Sequence, residues 1–133
     1  MQEHEKWLRI AKEDLLAAKG LVKLELFSAV VYHCQQAAEK ALKGYLVYKD
    51  QEITKTHDLL KLLESCLTFD TNFRQLYEAT KLLNPFSSKF RYPSEFDIPD
   101  LADAELAIKH AQSIMAFVVK KISEPETGQT NMF

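Results

Sequence analysis

The chain has 133 residues, of which 47% are hydrophobic and 27% are charged, and its formal net charge is −2. This length and composition predict one folded domain and exclude an intrinsically disordered chain. The slightly acidic balance argues against strong non-specific binding of nucleic acids, which needs a broadly basic surface, although RNA binding at a local basic patch stays open.

Hydrophobic residues at helical spacing predict five helices, of which the first two cover residues 3–23 and 28–48. The first helix has an apolar face formed by Trp7, Ile10, Ala11, Ala18, Leu21 and Val22. A polar loop, 49–55, leads to a third helix, and Thr56 is expected to cap it because its hydroxyl can accept a free backbone N–H. The buried face of this third helix is formed by Leu59, Leu60, Leu62, Leu63, Cys66 and Leu67.

A fourth helix follows, and Asp70 or Thr71 is expected to provide its N-cap. The inward-facing residues of this helix recur at helical spacing and are Phe73, Leu76, Tyr77, Thr80 and Leu83. Pro85 is expected to end the helix, because a proline inside a helix removes a backbone donor. Residues 84–99 then form the only long irregular segment that the sequence predicts.

The last helix is expected to begin after Asp100, with Asp103 in a capping-box position three residues later. Its apolar seam consists of Ala104, Ala107, Ala111, Ile114, Met115, Val118 and Ile122. Residues 123–133 lack this periodicity and predict a flexible tail, so the domain itself is expected to cover 1–122. Long helices with short connections predict an all-α fold, an up-and-down antiparallel bundle of four to five helices.

The cysteines and the apolar runs indicate the cellular compartment of the protein. Cys34 and Cys66 form neither a disulfide framework nor a CxxC pair, which fits a reducing compartment. No apolar run approaches the roughly 20 residues needed to span a bilayer, and the charged start MQEHEK does not resemble a signal peptide. We therefore expect a cytoplasmic protein with no membrane partner.

The second helix carries a polar stripe of His33, Gln36, Lys40 and Lys43, which fall in one narrow sector at about 100° per residue. Lysine supplies positive charge for a phosphate, and the imidazole and the amide supply hydrogen bonds for a base or a ribose. The stripe therefore predicts a site for a nucleotide or a protein partner, or one wall of a dimer cleft. The alternative is a solvated helix face, in which Glu39 and Lys43 form an ordinary i,i+4 pair.

Asp14 stands out because it lies within the apolar arc of the first helix. An unpaired carboxylate would be costly to bury there, so we expect it to pair with Lys40, His33 or a helix N-terminus. The pair could serve the structure alone or belong to a site for a ligand or partner. Asp14 is therefore a candidate site residue.

Aromatic and cationic residues alternate in the segment 86–93, which contains Arg91. Such a segment could stack a base and hold a phosphate. Alternatively, Phe86 and Phe90 plug the open end of the bundle while Arg91 pairs with an acidic side chain. Arg91 joins the candidate binding residues on the first interpretation.

The remaining motifs indicate no chemistry of the chain's own. His57 is expected at the start of the third helix, in a capping or packing role. No HExxH motif, no matched set of Cys and His, and no glycine-rich phosphate loop occur in the sequence. The sequence therefore predicts no metal site, no cofactor and no catalytic residue.

Several short motifs, taken in this order and spacing, resemble the HEPN family (higher eukaryotes and prokaryotes nucleotide-binding domains) over about residues 3–122. They are Trp7-Leu8, Ala11, Asp14-Leu15, Ala18, His33, the run QQAAEKALK at 35–43, Thr56-His57-Asp58-Leu59 and Arg91-Tyr92-Pro93. The resemblance implies an up-and-down bundle that often dimerises. It also implies a minimal nucleotidyltransferase as partner, as in toxin–antitoxin-like pairs, and a likeness to the helical domain attached to aminoglycoside nucleotidyltransferases.

One branch of that family comprises metal-independent ribonucleases marked by Arg-x(4–6)-His. No histidine lies five to seven positions after Arg9, Arg74 or Arg91 in this sequence, so the resemblance favours the non-nuclease branch. We expect a nucleotide- or partner-binding module that acts as a homodimer with a separate minimal nucleotidyltransferase. Two alternatives stay open. The first is an RNase with a non-standard site, which could be built from Arg91 and a histidine or be assembled across a dimer. The second is a dimeric scaffold without a small-molecule ligand.

Overall fold

The computed structural model describes residues 1–88 and 98–124, and within these ranges the chain is helical and has no strand. The five α-helices are α1 (Glu3–Val22), α2 (Phe27–Tyr48), α3 (Leu59–Leu67), α4 (Tyr77–Leu83) and α5 (Leu101–Ser123). Two short 3₁₀ helices flank α4 and cover Thr71–Leu76 and Asn84–Ser87. The predicted all-α, up-and-down antiparallel bundle is confirmed.

The central element of the bundle is α2, which contacts each of the other four α-helices. Most of its residues are buried, including Ala37, Ala38 and Ala41, whose small side chains let neighbouring helices approach closely. Since α2 is surrounded on several sides, part of its polar stripe must lie between helices rather than in solvent.

The core is one continuous cluster that extends from α1 to α5. Phe73 is fully buried, and its ring centroid lies 4.5 Å from that of Tyr45 and 4.9 Å from that of Phe117. The predicted apolar face of α1 is correct for Ala11 and Ala18 but wrong for Ile10, which is exposed. The largest fully buried apolar residues are Phe73, Leu42, Leu59, Leu62, Leu83, Ile114, Val30, Val31 and Val118.

The predicted start of the third helix is wrong. The N-cap of α3 is Asp58, whose carboxylate accepts two backbone N–H groups of the first turn. Thr56 lies two residues earlier, and its hydroxyl accepts the N–H of Asp58. Asn84 selects Asp58 as the cap, because its amide donates to Asp58 at 3.1 Å while its carbonyl oxygen accepts the N–H of Leu59 at 2.7 Å.

The predicted fourth helix is divided into a 3₁₀ helix and α4. Asp70 caps the 3₁₀ helix, as expected, by accepting the N–H of Asn72, and the α-helix begins only at Tyr77. α4 ends at Leu83, two residues before Pro85, and Pro85 itself lies inside the second 3₁₀ helix. The missing N–H of a proline is tolerated there, since the first residues of a helical turn have no intrahelical partner for it.

The last helix begins as predicted. Asp100 accepts the backbone N–H of Asp103, and Asp103 accepts that of Asp100, which completes the capping box. The segment 89–97, which contains Arg91, and the segment 125–133, which makes up most of the predicted tail, lie outside the described residues. Among the described helices, none combines the length and the hydropathy that crossing a bilayer requires.

Asp70 also joins the 3₁₀ helix to α5, because its carboxylate lies 2.9 Å from Nζ of Lys121. Burial acts to raise the pKa of Asp70, but hydrogen bonds from Lys121 and from the N–H of Asn72 outweigh it and lower this pKa. The hydrogen bond to Asp70 in turn raises the pKa of Lys121. Both shifts indicate that the ion pair stabilises the folded chain.

We expect Asp70→Asn to lower the free energy of unfolding at pH 7 by about 1 kcal/mol, because asparagine keeps the helix cap and loses the charge. The pKa of Asp70 is lower in the folded chain than in the unfolded one, so its contribution is complete above the unfolded value and is lost as pH falls through the folded value. Urea titrations should therefore show the difference between wild type and variant shrinking below about pH 4. A difference independent of pH would contradict the pairing.

Candidate functional site

Asp14 links α1 to α2 and holds two polar residues of the predicted stripe. Its Oδ1 lies 2.9 Å from Nδ1 of His33, and its Oδ2 lies 2.8 Å from Nζ of Lys40. The expected pairing of Asp14 is confirmed, with both partners at once. The Asp14 side chain is 11% exposed, whereas those of His33 and Lys40 are 30% and 24% exposed, so this group reaches the surface. We call Lys40, Asp14 and His33 the first unit.

Glu39 forms a second unit of the same composition with Lys43 and His57. Its Oε2 lies 2.9 Å from Nζ of Lys43, and Nδ1 of His57 lies 3.0 Å from Oε1 and 3.1 Å from Oε2. Glu39 and Lys43 are buried, while the His57 side chain is 67% exposed. Each unit thus has one carboxylate that contacts one ammonium group and one imidazole Nδ1.

Two glutamines attach the second unit to its surroundings. The amide of Gln35, which is fully buried, donates to the backbone carbonyl of His57 at 3.1 Å and lies 3.4 Å from Oε1 of Glu39. The carbonyl oxygen of Gln35 accepts from the amide of Gln36 at 2.8 Å. All buried side-chain nitrogen and oxygen atoms of the described residues have hydrogen-bond partners, so this network is satisfied, as buried polar groups require.

The contacts at Nδ1 select the tautomer that a neutral imidazole adopts at both positions. An ionised carboxylate only accepts hydrogen bonds, so a neutral ring must carry its proton on Nδ1 and a lone pair on Nε2. Within residues 1–88 and 98–124, neither His33 nor His57 has a hydrogen-bond partner at Nε2. The two units therefore offer two oriented acceptor nitrogens on partly exposed rings.

The structure brings five of the six predicted site residues together and places them in or beside the two units. These five are Asp14, His33, Gln36, Lys40 and Lys43. Lys43 is buried and paired, with its Nζ 5.9 Å from the centroid of the Trp7 ring, so it supports Glu39 rather than facing solvent. The solvated-face alternative fails for Glu39 and Lys43.

Sequence reasoning missed Gln35, Glu39 and His57 as parts of the site. For Glu39 the sequence predicts only a surface pair with Lys43, and it predicts His57 at the start of α3. His57 instead precedes the Asp58 cap and turns its ring toward α2. Arg91 lies outside the described residues.

A groove of about 520 Å³ between α1 and α5 is a separate surface feature. Its lining is formed by Met1, Glu5, Leu8, Arg9, Lys12, Met115 and Val119. None of the five predicted site residues that the structure describes lines this groove. Among the described residues, no group of three or more His, Cys, Asp or Glu side chains is arranged to hold a metal ion.

Comparisons with known proteins agree on the fold. A family model described as "HEPN domain" matches residues 4–122. The crystal structure of TT1696 from Thermus thermophilus is similar with a TM-score of 0.80 and 33% identity, over 91% of this chain and 99% of that one. The structure of ST0689, an archaeal HEPN homologue, is similar in fold, with a TM-score of 0.75 and 24% identity over 92% of this chain and 100% of its own.

No curated protein matches the chain significantly. The family match nevertheless extends from α1 to the end of the α5 seam, and the similarity to TT1696 covers nearly the whole of both chains. The chain therefore belongs to the HEPN domain family.

Proposed function

We propose that this HEPN chain is a binding module for a nucleotide or a nucleotide-like small molecule, which it binds at the exposed edge of the two units on α2. The first unit carries the proposal, because the mostly buried carboxylate of Asp14 holds His33 and Lys40 at the surface. Gln36 lies one turn from His33 on the same side of the helix. Ion pairs that are partly withdrawn from water often add little to stability, which supports a binding role for this arrangement.

Thermal shift with nucleosides and nucleotides tests this proposal. A ligand at 100 times its Kd should add about 2.7 kcal/mol to the free energy of unfolding. If no nucleoside or nucleotide at millimolar concentration raised the melting temperature, this would contradict small-molecule binding and favour the dimeric scaffold without a ligand.

We expect Lys40→Ala to weaken binding of the nucleotide identified in this way about tenfold, which corresponds to about 1.4 kcal/mol. The physical reason is that Asp14 would lose its ammonium partner and His33 its fixed position. The matched control is Lys109→Ala, because Lys109 is exposed on α5 and has no ion pair among the described residues. Equal affinities for the two variants in isothermal titration calorimetry would place the site elsewhere.

A separate minimal nucleotidyltransferase is the protein partner that we propose, in a toxin–antitoxin-like pair. Support comes from the HEPN family membership and from a sequence that lacks the Gly-Ser and paired-aspartate strand motif such enzymes use to hold Mg²⁺. Co-expression with the product of the neighbouring gene tests this pairing. Failure of the two proteins to co-purify would contradict it.

The chain is also proposed to act as a homodimer. Exposed apolar side chains on α1 and α5, among them Leu16, Leu106 and Val119, offer surface that a second copy would cover. Light scattering at tens of micromolar protein should give twice the monomer mass. A monomeric mass would contradict this part of the proposal.

A metal-independent RNase is the second candidate function, and the two acceptor nitrogens of His33 and His57 favour it. Such an enzyme needs a base to take the proton of the 2′-hydroxyl. Because the family's Arg-x(4–6)-His motif is missing, we expect RNA to stay intact when it is incubated with the protein in EDTA. Cleavage that is lost in His33→Ala or Arg91→Ala would make the RNase the leading function.

A cytoplasmic location is part of the proposal. Cys34 and Cys66 are free and buried, and burial raises the pKa of each thiol to about 12. Both thiols therefore stay protonated at neutral pH, and the absence of a disulfide between them suits a reducing compartment.

A further inference from the structure

We infer that the two units form a neutral acceptor site, which recognises the sugar hydroxyls and base N–H groups of a nucleoside rather than the phosphates of a nucleotide. The inference rests on the proposed function and specifies which part of the ligand the site binds. It also assigns His57 to the site, although the sequence predicts a capping or packing role for that residue.

The charges within each of the two units balance. Nζ of Lys40 lies 2.8 Å from Asp14, and Nζ of Lys43 lies 2.9 Å from Glu39. Each ammonium group is therefore compensated by one carboxylate, and each unit has no net charge when its imidazole is neutral. A phosphate that approached Lys40 would also meet the negative charge of Asp14, so these units provide little attraction for phosphate.

The hydrogen bonds within the two units leave acceptor atoms available to a ligand. In the neutral form, His33 and His57 each direct an Nδ1–H group at a carboxylate, which leaves Nε2 of that ring as an acceptor. The amide nitrogen of Gln36 donates to Gln35, and in the part of the chain that the structure describes its Oε1 has no partner. The site thus presents three acceptors, and a complementary ligand must supply donors.

His57 is held both at its backbone and at its ring. Gln35 binds its backbone carbonyl and Glu39 binds its ring, and both of these α2 residues are buried. Anchoring the loop would require only the backbone contact. The additional contact between a buried carboxylate and a ring that is 67% exposed fixes the direction of Nε2, which a capping role does not require.

The two units lie close together along α2. His33 and Glu39 are six residues apart on α2, which corresponds to about 9 Å along the helix axis. Gln36 lies midway, and the His57 ring lies against Glu39.

Isothermal titration calorimetry of the full chain with each common nucleoside, its monophosphate and its triphosphate tests the inference, at low and at high salt. We expect the three forms of the preferred base to have Kd values within about threefold, with less than a twofold change between the salt concentrations. A triphosphate that binds more than tenfold tighter than the nucleoside, and loses this advantage in high salt, would overturn the inference but leave the proposed function intact. No binding of any form would overturn the proposed function.

Variants of the two rings supply the second measurement. We expect His33→Ala and His57→Ala each to weaken nucleoside binding about tenfold, and His57→Gln to recover part of the loss because glutamine keeps an acceptor. His110→Ala, on α5, is the matched control with unchanged affinity. Circular dichroism establishes that the variants fold, and wild-type affinity in folded His57→Ala would remove His57 from the site.

Discussion

Glu39→Ala is expected to lower the free energy of unfolding by about 3–5 kcal/mol, because it leaves a buried charge without its partner. Lys43 would keep its ammonium group between helices with no carboxylate to compensate it. Gln35 and His57 would also lose the acceptor that now fixes them. Urea unfolding followed by far-UV circular dichroism measures the effect.

The matched control removes both charges together. In the double variant Glu39→Leu/Lys43→Met, apolar side chains of similar volume replace the ion pair, so no buried charge stays uncompensated. We expect this variant to recover most of the stability that Glu39→Ala loses. If the double variant were as unstable as the single one, the loss would come from packing and not from the pair.

Gly44→Val is expected to lower the free energy of unfolding by about 1–3 kcal/mol, because it overpacks the contact between α1 and α2. A Cβ atom at this position would lie 3.2 Å from Cβ of Trp7 and 3.3 Å from Cδ2 of Leu8. Cβ of Trp7 is attached to the backbone, so relief of the contact requires α1 itself to move.

The same displacement should weaken ligand binding. Asp14 lies two turns from Trp7 on α1, and a shift of this helix would carry its carboxylate away from Lys40 and His33. Gly20→Ala is the control, since no side chain or neighbouring element lies within 4 Å of the added Cβ, and it should stabilise the chain by about 0.5–1 kcal/mol. Thermal unfolding distinguishes Gly44→Val from Gly20→Ala. If the melting temperatures of both variants changed in the same direction, this would contradict the close approach at Gly44.

The fold could be predicted where the local signals agree. α1, α2 and α5 are long and periodic, and the Asp100–Asp103 capping box is encoded within four residues. The start of α3 could not be predicted in the same way, because Thr56 and Asp58 are both good caps. Asn84, more than 20 residues later, selects between them through contacts that only the folded chain brings about.

The candidate site shows the same division between local and tertiary information. Asp14 could be predicted to pair, because a carboxylate in an apolar arc needs a cation and α2 offers one. Helical periodicity does not predict that Glu39 is buried, because α2 is packed against four other helices instead of exposing one face to solvent. His57 reaches Glu39 through the path of the loop before α3, which no periodic pattern encodes.

Long-range ¹⁵N–¹H spectra of the imidazole rings at neutral pH test most directly whether buried carboxylates orient two acceptor nitrogens toward a ligand. The account predicts protonated Nδ1 and unprotonated Nε2 for His33 and His57, with Asp14→Asn altering the signals of His33 alone and Glu39→Gln those of His57 alone. His110 supplies the reference for a ring that has no carboxylate partner among the described residues. Protons found on Nε2 of both His33 and His57, as in free histidine, would contradict the account.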